Sequence, residues 1–301
     1  MSAGLCRDRP FRGKSRCPQM TIGELMKIIE RGGARIPAIG LGTFRLEGDT
    51  CTNMVREAIE IGYRHIDTAR MYGNEKEVGQ GIRDAGVPRD ELFVTTKIWW
   101  SDIGRANLIP TAGKALIDLG LEQVDLLLIH WPNPDIPLEE SLEALNEAKT
   151  KGLTKHIGVA NFTSSLMDSA ARISPEPLVC NQVEYHPALS QEAILHSCRK
   201  NDMALIAYSP IGQGGELLQN AEIVRIAEAH GKTPAQIVLR WEIEQDGVGA
   251  IPRTTNPARL SENIDVFDFE LTPADRDLLT RMTRLRRRLV NPAFAPNWDR
   301  A

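Results

Sequence analysis

The sequence lacks the features of a membrane, secreted or nucleic-acid-binding protein. No apolar run approaches the ~18 residues of a membrane-spanning helix, and the first residues contain no apolar signal-peptide core. The five cysteines lie far apart and form no C-x-x-C pair, which predicts free thiols in a reducing cytoplasm. The net charge of −4 gives no excess of basic residues, so we expect neither a nucleic-acid nor a membrane partner.

The composition is that of an ordinary globular protein. Of the 301 residues, 42% are hydrophobic and 25% are charged, which excludes a disordered chain, a collagen and a coiled coil. The segment 1–25 is rich in arginine and has no apolar periodicity, so it predicts a disordered N-terminal extension. Residues 26–301 are long enough for a single barrel domain, and we expect a monomer.

A short apolar run followed by a stretch with helical periodicity recurs eight times. This α/β pattern predicts a (β/α)8 TIM barrel. The predicted strands are 38–44, 65–69, 92–99, 124–131, 156–162, 178–186, 204–210 and 249–253. A β-hairpin is predicted before the barrel over 26–37, and extra helices over 234–245 and 274–281. The tail 286–301 has two apolar anchors, Phe294 and Trp298, and is expected to lie on the body.

The alternative fold is a doubly wound open sheet that binds a dinucleotide. Such a sheet carries G-x-G-x-x-G after its first strand. The segments 40–42 and 212–214 each contain two glycines but leave that motif incomplete. We therefore predict a barrel without a Rossmann fold.

Ionisable side chains end three consecutive predicted strands, where a barrel places its active site. Asp67 ends the second strand, Lys97 the third and His130 the fourth, and Tyr72 lies in the loop after Asp67. Each residue alone has an ordinary structural explanation. Asp67 can cap a helix, and Lys97 can be a buried ion-pair partner. His130 can be a core histidine, and Tyr72 can anchor its loop. Because neighbouring strands bring all four to one rim, we predict a catalytic set.

This set predicts a proton donor with its activating groups. A Lys97 cation ~4 Å from the Tyr72 oxygen contributes roughly 4 kcal/mol at an effective dielectric of 20. That favours lowering the pKa of the phenol by about three units, toward neutrality. Tyr72 then acts as a general acid, and His130 orients the substrate oxygen. Since the sequence offers no strong nucleophile and no metal-ligand spacing, hydride from a nicotinamide cofactor completes the predicted chemistry.

The ends of later strands carry groups suited to the nicotinamide end of that cofactor. The amides of Asn161 and Gln182 can bind a carboxamide, and the ring of Tyr208 can stack on a flat heterocycle. An ordinary hydrogen-bond network at the rim remains an open explanation for both amides.

The segment after the last strand carries groups suited to a phosphate monoester. Arg253 and Arg259 supply two guanidinium groups, and Thr254 adds a hydroxyl. A solvated helix face with a local Arg259–Glu262 pair remains an open explanation.

These motifs resemble the aldo-keto reductases. The matching segments, in family order, are 40–44 (GLGTF), 62–69 (GYRHIDTA), 96–99 (TKIW), 128–132 (LIHWP), 158–162 (GVANF), 181–184 (NQVE), 208–210 (YSP) and 251–263. The end of the chain, at 288–290 and 295–299, is similar to the bacterial 2,5-diketo-D-gluconate reductase branch. Two positions depart from the pattern: Ala160 stands where many members have serine, and Arg253 where many have lysine.

The resemblance implies a barrel that binds NADPH, with Tyr72 as proton donor assisted by Asp67, Lys97 and His130. The implied cofactor contacts are Thr43, Asn161, Gln182, Tyr208, Ser209, Arg253, Thr254, Arg259, Glu262 and Asn263. It also implies reduction of aldehydes or ketones to alcohols. Dicarbonyls or keto-sugars, such as methylglyoxal or 2,5-diketo-D-gluconate, are the expected substrates.

Three aromatic residues, Phe44, Trp99 and Trp131, predict an aromatic substrate pocket.

Two alternative functions remain open. One alternative is an aldolase in which Lys97 forms a Schiff base, although Asp67 beside it favours the charged amine. The other is a cofactor-sensing regulatory subunit with weak turnover.

Overall fold

The computed structural model describes residues 26–299, so the predicted extension 1–25 lies outside the described residues. An antiparallel hairpin opens the described chain, with β1 (Ile28–Arg31) paired to β2 (Ala34–Pro37). Its turn uses Gly32 and Gly33, whose φ values of 53° and 83° lie in the region that glycine adopts without strain. This is the hairpin that the sequence predicted.

Eight parallel strands follow in a single sheet whose spatial order is the chain order. They are β3 (Leu41–Gly42), β4 (His65–Asp67), β5 (Phe93–Ile98), β6 (Val124–Ile129), β7 (Thr154–Ala160), β8 (Leu178–Glu184), β9 (Ala204–Tyr208) and β10 (Val248–Ala250). A parallel bridge between Ile39 and Ala250 joins the two ends of the sheet. It is made by hydrogen bonds from Gly40 N to Ala250 O (2.9 Å) and from Ala250 N to Ala38 O (2.7 Å).

Helices connect the strands, as expected for parallel neighbours. They are α1 (Gly48–Glu60), α2 (Glu75–Asp84), α3 (Arg105–Leu119), α4 (Leu138–Thr150), α5 (Ser164–Ile173), α6 (Glu192–Lys200), α7 (Ala221–His230), α8 (Pro234–Glu244), α9 (Pro257–Ile264) and α10 (Pro273–Met282). The two extra helices, α8 and α10, begin at threonine–proline pairs, and Thr233 and Thr272 each close a capping box. The (β/α)8 prediction is confirmed.

The core lies inside the barrel and between its strands and helices. Strands β4, β5, β6 and β8 are buried along their whole length, as expected when helices cover a parallel sheet. Helices α2 and α3 approach closely at Gly79, where an added Cβ would lie 2.0 Å from the Leu119 carbonyl oxygen. Among residues 26–299, none of the helices combines the length and apolar character needed to cross a bilayer.

The first and last barrel strands are shorter than the sequence predicted. Strand β3 covers two residues of the predicted 38–44, and β10 shares two residues with the predicted 249–253. The predicted residues 43–44 and 251–253 lie past the carboxyl ends of these strands and form loops. Those loops carry Thr43, Phe44 and Arg253.

The chain after α10 is held against the carboxyl end of β8 by a buried carboxylate. Glu184, fully buried, accepts hydrogen bonds from the backbone N–H of Leu289 (2.6 Å) and Val290 (2.7 Å). Near the end of the described chain, Asp299 accepts hydrogen bonds from the backbone and hydroxyl of Ser164. The tail 283–299 is therefore held near its middle and at its end over one side of the barrel mouth.

A buried carboxyl on α8 gives the first prediction, that Glu242→Met stabilises the fold. Glu242 is fully buried, and neither carboxyl oxygen has a hydrogen-bond partner among residues 26–299. Burial raises the pKa of this group well above its ordinary value. The folded state therefore binds a proton that the unfolded chain releases. Stability falls as pH rises above ~4.3, the unperturbed glutamate pKa, toward the folded pKa.

Removing the unpaired carboxyl should raise the free energy of unfolding by about 1–3 kcal/mol. Thermal midpoints at pH 5 and pH 8 should both exceed those of the wild type, with the larger gain at pH 8. The matched control is Glu244→Met, which should destabilise because Glu244 pairs with Arg240 and Arg276. Equal midpoints for Glu242→Met and wild type at both pH values would contradict the prediction.

Candidate active site

Lys97 brings the predicted catalytic side chains together at the carboxyl ends of β4 and β5. Asp67 pairs with Thr95 in the parallel register, and Lys97 lies two residues further along on the same face of β5. Its ammonium donates hydrogen bonds to Asp67 Oδ1 (2.5 Å), the Thr68 carbonyl oxygen (2.8 Å) and Tyr72 Oη (3.4 Å). Lys97 and Asp67 are both fully buried, so this is an ion pair removed from water.

The three hydrogen bonds also determine what Lys97 can do. Each N–H of the ammonium has an acceptor, so the nitrogen presents no lone pair to a carbonyl carbon. Burial lowers the pKa of Lys97, and the Asp67 carboxylate opposes that change. The geometry therefore favours a charged lysine that acts on Tyr72, and it disfavours the Schiff-base alternative.

Asp67 links Lys97 to two of the predicted cofactor residues. Its second carboxylate oxygen accepts a hydrogen bond from Gln182 Nε2 at 2.7 Å. Its carbonyl oxygen accepts one from the backbone and one from the hydroxyl of Thr43, each at 3.0 Å. Since Thr43 follows β3 and Gln182 lies on β8, Asp67 connects three separate parts of the rim.

Tyr72 ends a short 3₁₀ turn, Arg70–Tyr72, which Gly73 terminates in the left-handed conformation (φ 67°). The next residue, Asn74, is buried and holds this turn in place. Its side-chain N–H donates to the Thr43 carbonyl oxygen at 2.8 Å, and its side-chain oxygen accepts from Thr68 Oγ1 at 2.9 Å. The loop that carries the phenol is thereby fixed to the loops after β3 and β4.

Sequence reasoning missed these supporting residues. Glu75, also buried, accepts a hydrogen bond from Thr96 Oγ1 at 2.7 Å and pairs with Arg70, which also pairs with Asp118. An available signal was the polar pair Asn74–Glu75 directly after the glycine that ends the turn. Neither residue suggests chemistry by its type, so only the contacts show its role.

The pKa of Tyr72 shifts in the direction opposite to the one predicted. Burial is the largest cause and the Asp67 carboxylate the second, and together they raise the pKa well above its ordinary value. The expected lowering toward neutrality is wrong for this structure because the Asp67 charge offsets that of Lys97, and removal from water penalises the phenolate. The phenol is therefore protonated at neutral pH, as a proton donor must be.

His130 follows β6 and lies between two aromatic rings. Its ring centroid is 5.7 Å from that of Tyr72 and 5.2 Å from that of Trp99, both in edge geometry. Burial, with a smaller contribution from the Lys97 cation, lowers the pKa of His130 well below its ordinary value. Nδ1 is buried without a hydrogen-bond partner among residues 26–299. A neutral imidazole beside the phenol suits the predicted role of binding and orienting a carbonyl oxygen.

Aromatic rings from three parts of the chain surround this position. The group that we call the aromatic wall consists of Trp99, Trp100, Trp131, Phe294 and Trp298. Phe294 is stacked on Trp100, with centroids 5.0 Å apart and planes 9° apart, and its edges meet Trp99 and Trp131. Phe44 is 43% exposed and packs against the Tyr72 ring at 5.0 Å. The structure thus places Phe44 against Tyr72 and Trp99 against His130, and it connects Trp131 to Trp99 through Phe294. It also adds Trp100, which sequence reasoning missed.

The predicted nicotinamide-binding residues lie along the same rim and contact one another. Asn161 donates a hydrogen bond to the His130 carbonyl oxygen at 2.9 Å and accepts one from Tyr208 Oη at 2.8 Å. Asn161 and Ser209 both have positive φ, 63° and 48°, which turns the chain sharply where β7 and β9 end. The amides of Asn161 and Gln182 each carry a second N–H, so both can still donate to a carboxamide oxygen.

The predicted phosphate-binding cations lie past β10. Arg253 Nε donates to the Phe44 carbonyl oxygen at 3.0 Å, and the hydroxyl of Thr254 accepts from Asn256 N just before α9. Arg253 and Arg259 are exposed, and neither forms an ion pair with a carboxylate in the part of the chain that the structure describes. Two unpaired guanidinium groups beside a helix start are a donor set that fits a phosphate.

Glu262 and Asn263, the predicted adenine contacts, lie at the end of α9. The Glu262 carboxylate accepts a hydrogen bond from Thr233 Oγ1 at 2.7 Å rather than pairing with Arg259, so the local ion pair that we considered is not formed. Asn263 is buried. Their contact with adenine stays a prediction. Within residues 26–299, no group of three acidic, histidine or cysteine side chains is placed to hold a metal ion.

Comparison with known proteins identifies the family. The model of the aldo/keto reductase family matches residues 38–283, which is most of the barrel. The chain belongs to the aldo/keto reductase family. It is therefore an oxidoreductase of a family whose cofactor is NADP(H), and the predicted family, enzyme class and cofactor are confirmed.

The similar proteins agree with the predicted branch. The methylglyoxal reductase DkgB of Escherichia coli O157:H7 is 40% identical over 268 residues, 88% of this chain and 99% of that protein. The glyoxal reductase of Bacillus subtilis is 40% identical over 261 residues, 86% of this chain and 94% of that protein.

Solved structures of similar proteins also agree with the predicted family and branch. A protein assigned as a 2,5-diketo-D-gluconic acid reductase B has a TM-score of 0.89 and 40% identity, covering 91% of this chain and 98% of that one. A Bombyx mori aldo-keto reductase in complex with NADP has a TM-score of 0.84 and 33% identity, covering 91% and 97%.

The buried ion pair gives the second prediction. Asp67→Asn should lower the free energy of unfolding by about 3–5 kcal/mol, because it leaves the Lys97 charge buried without its carboxylate. The double variant Asp67→Asn/Lys97→Met also removes that charge and should lose less than the sum of the two single changes. Denaturant unfolding of all four proteins measures the coupling. If the losses in the free energy of unfolding of the two single variants added up to that of the double variant, Asp67 and Lys97 would not be coupled, and the prediction would be wrong. Glu176→Gln, in an exposed pair with Lys149, is the control and should lose under ~1 kcal/mol.

Proposed function

We propose that the enzyme reduces the carbonyl group of small dicarbonyls or keto-sugars to an alcohol, with NADPH as the electron donor and Tyr72 as the proton donor. The observation that supports this most directly is the position of the Tyr72 hydroxyl. It lies 3.4 Å from a buried ammonium, beside a neutral imidazole and inside an aromatic pocket. That arrangement suits protonation of an oxygen and offers no nucleophile.

The residues divide the reaction between them. When bound, NADPH would supply the hydride for the carbonyl carbon. Tyr72 would donate its proton to the carbonyl oxygen. His130 donates a hydrogen bond to the same oxygen and so fixes its position next to the phenol. Lys97 stabilises the phenolate that forms when the proton leaves, since the cation then faces a new negative charge at 3.4 Å.

The cofactor contacts follow the rim around the barrel. Asn161 and Gln182 would hold the carboxamide, Tyr208 would bind the nicotinamide, and Thr43 and Ser209 would contact the cofactor nearby. The guanidinium groups past β10 would bind the 2′-phosphate. Because Gln182 also bonds Asp67, the carboxamide is held by a residue that contacts the catalytic ion pair. This shared contact supports a cofactor position close to the ion pair.

The choice of substrate rests on the pocket and on the relatives. The aromatic wall gives the pocket an apolar side, which suits a small, planar carbonyl compound. Similar proteins carry the names methylglyoxal reductase, glyoxal reductase and 2,5-diketo-D-gluconic acid reductase. We extend those activities to this chain and propose a cytoplasmic monomer. A regulatory subunit with weak turnover is less favoured because the four catalytic groups are present and in contact.

The third prediction tests the proton donor. Tyr72→Phe removes the proton and keeps the ring, so NADPH affinity, measured by fluorescence titration, should survive. Reduction of methylglyoxal should slow by at least the ~10²–10⁴-fold that general acid catalysis supplies. Lys97→Met should also slow reduction and should move the apparent pKa of the tyrosine further upward. If Tyr72→Phe kept wild-type kcat with intact cofactor binding, the mechanism proposed here would be wrong.

The fourth prediction tests the phosphate site. Arg253→Ala/Arg259→Ala should weaken NADPH binding far more than NADH binding, because charge-assisted hydrogen bonds contribute ~1.5–3 kcal/mol each. Dissociation constants for both cofactors measure the difference. An equal loss for the two cofactors would place the 2′-phosphate elsewhere. Arg281→Ala, an exposed arginine at the end of α10, is the control and should change neither constant.

A further inference from the structure

Glu75 is a buried carboxylate that joins the two segments carrying Lys97 and Tyr72. It is the first residue of α2, and its side chain is 1% exposed. Oε1 accepts a hydrogen bond from Thr96 Oγ1 at 2.7 Å, and Oε2 accepts one from Nη1 of Arg70. Thr96 precedes Lys97 on β5, and Arg70 begins the 3₁₀ turn that Tyr72 ends. One carboxylate therefore bonds a neighbour of the cation and a neighbour of the phenol.

The contact between Lys97 and Tyr72 is sensitive to a shift of that turn. At 3.4 Å it is longer than the hydrogen bonds from Lys97 to Asp67 (2.5 Å) and to the Thr68 carbonyl oxygen (2.8 Å). The two short bonds hold the ammonium, whereas the phenol oxygen lies at the outer limit of hydrogen-bond distance. A shift of the turn on the order of 1 Å would therefore remove this contact and leave the ion pair in place.

A second carboxylate holds the outer side of the same arginine. Asp118, near the end of α3, also accepts from Nη1 of Arg70, whose side chain is 29% exposed. Because Glu75 is the more deeply buried of the two carboxylates, its charge depends more strongly on the arginine. The first residue of the turn is thus fixed between the start of α2 and the end of α3.

Glu75 also has an ordinary structural explanation. A carboxylate at the start of a helix interacts favourably with the helix dipole and adds to stability. That explanation covers the charge of Glu75 and its position on α2. It does not involve the two hydrogen bonds to the neighbours of Lys97 and Tyr72, so a kinetic test can separate the two roles.

We propose that Glu75 is a positioning residue for proton donation. Its two hydrogen bonds keep the Tyr72 phenol within reach of the Lys97 ammonium. This inference rests on the proposed function, because it takes Tyr72 as the proton donor. Without the bridge the turn moves away from β5, and the phenolate formed by proton transfer loses its contact with the cation. Reduction then slows, while NADPH and the carbonyl compound still bind.

The test measures reduction of methylglyoxal by NADPH in a single turnover, which separates chemistry from product release. Glu75→Met removes both hydrogen bonds and should slow this step about tenfold or more, as expected for a misplacement on the order of 1 Å. The KM for methylglyoxal and the dissociation constant of NADPH should stay within about twofold of the wild type. Glu75→Gln can accept from Arg70 and donate to Thr96, so it should recover most of the rate.

Thr96→Val provides an independent variant that keeps every charge and the side-chain volume. It removes only the bond to β5 and should slow the same step by at least about threefold, so it tests the bridge even if Glu75→Met does not fold. The matched control is Glu244→Met, because Glu244 likewise joins two side chains, Arg240 and Arg276. It should lower stability and leave the single-turnover rate unchanged.

A double variant shows whether Glu75 acts through the phenol. In a Tyr72→Phe background, Glu75→Met should cause no further loss, because the group that Glu75 positions is already absent. Equal losses in both backgrounds would overturn the proposal. So would an unchanged rate in either Glu75→Met or Thr96→Val, or a loss that appears in KM or NADPH affinity instead of the rate.

Failure of the proposed function would look different. In that case the wild type would not reduce methylglyoxal, or Tyr72→Phe would reduce it at the wild-type rate. Either result would overturn the role of Tyr72 itself, and the role of Glu75 would fall with it.

Discussion

The buried ion pair between Asp67 and Lys97 is the constraint on which the site depends. Removing two charges from water costs several kcal/mol per ion, and only close pairing with further hydrogen bonds offsets that cost. Here Thr68, Gln182 and Tyr72 provide those further bonds. Because they come from separate segments, the energetic need to satisfy the pair fixes the relative positions of β4, β5, β8 and the loop between β4 and α2.

The fold and the clustering of the candidate catalytic side chains could be predicted from the sequence because both depend on local patterns. Apolar runs and helical periodicity alternate along the chain, and Asp67, Lys97 and His130 stand at or near the ends of such runs. A parallel barrel then places His130 beside Lys97 without further information, since neighbouring runs become neighbouring strands. The ends of the first and last strands were less predictable, because extended apolar segments look alike inside and outside a sheet.

The features that sequence reasoning missed depend on contacts between distant residues or on removal from water. The stacking of Trp100 on Phe294 joins segments far apart in the chain, and neither residue specifies its partner. The hydrogen bond from Thr233 to Glu262 likewise replaces the local ion pair that the spacing suggested. For Tyr72, the sequence shows which charges are nearby but not how completely the phenol is buried, and burial determines the direction of its pKa shift.

The chemistry and the substrate pocket belong to different parts of the structure. Strands β4, β5 and β6 and the loop after β4 carry the groups proposed to move the proton, and the buried pair holds them together. The tail is fixed separately, through Glu184 and Asp299, and it supplies Phe294 and Trp298. Loops on a rigid barrel can change with little effect on the scaffold. In the proposed function, changes in the tail would therefore alter which carbonyl compounds bind, whereas changes in the ion pair would alter proton transfer.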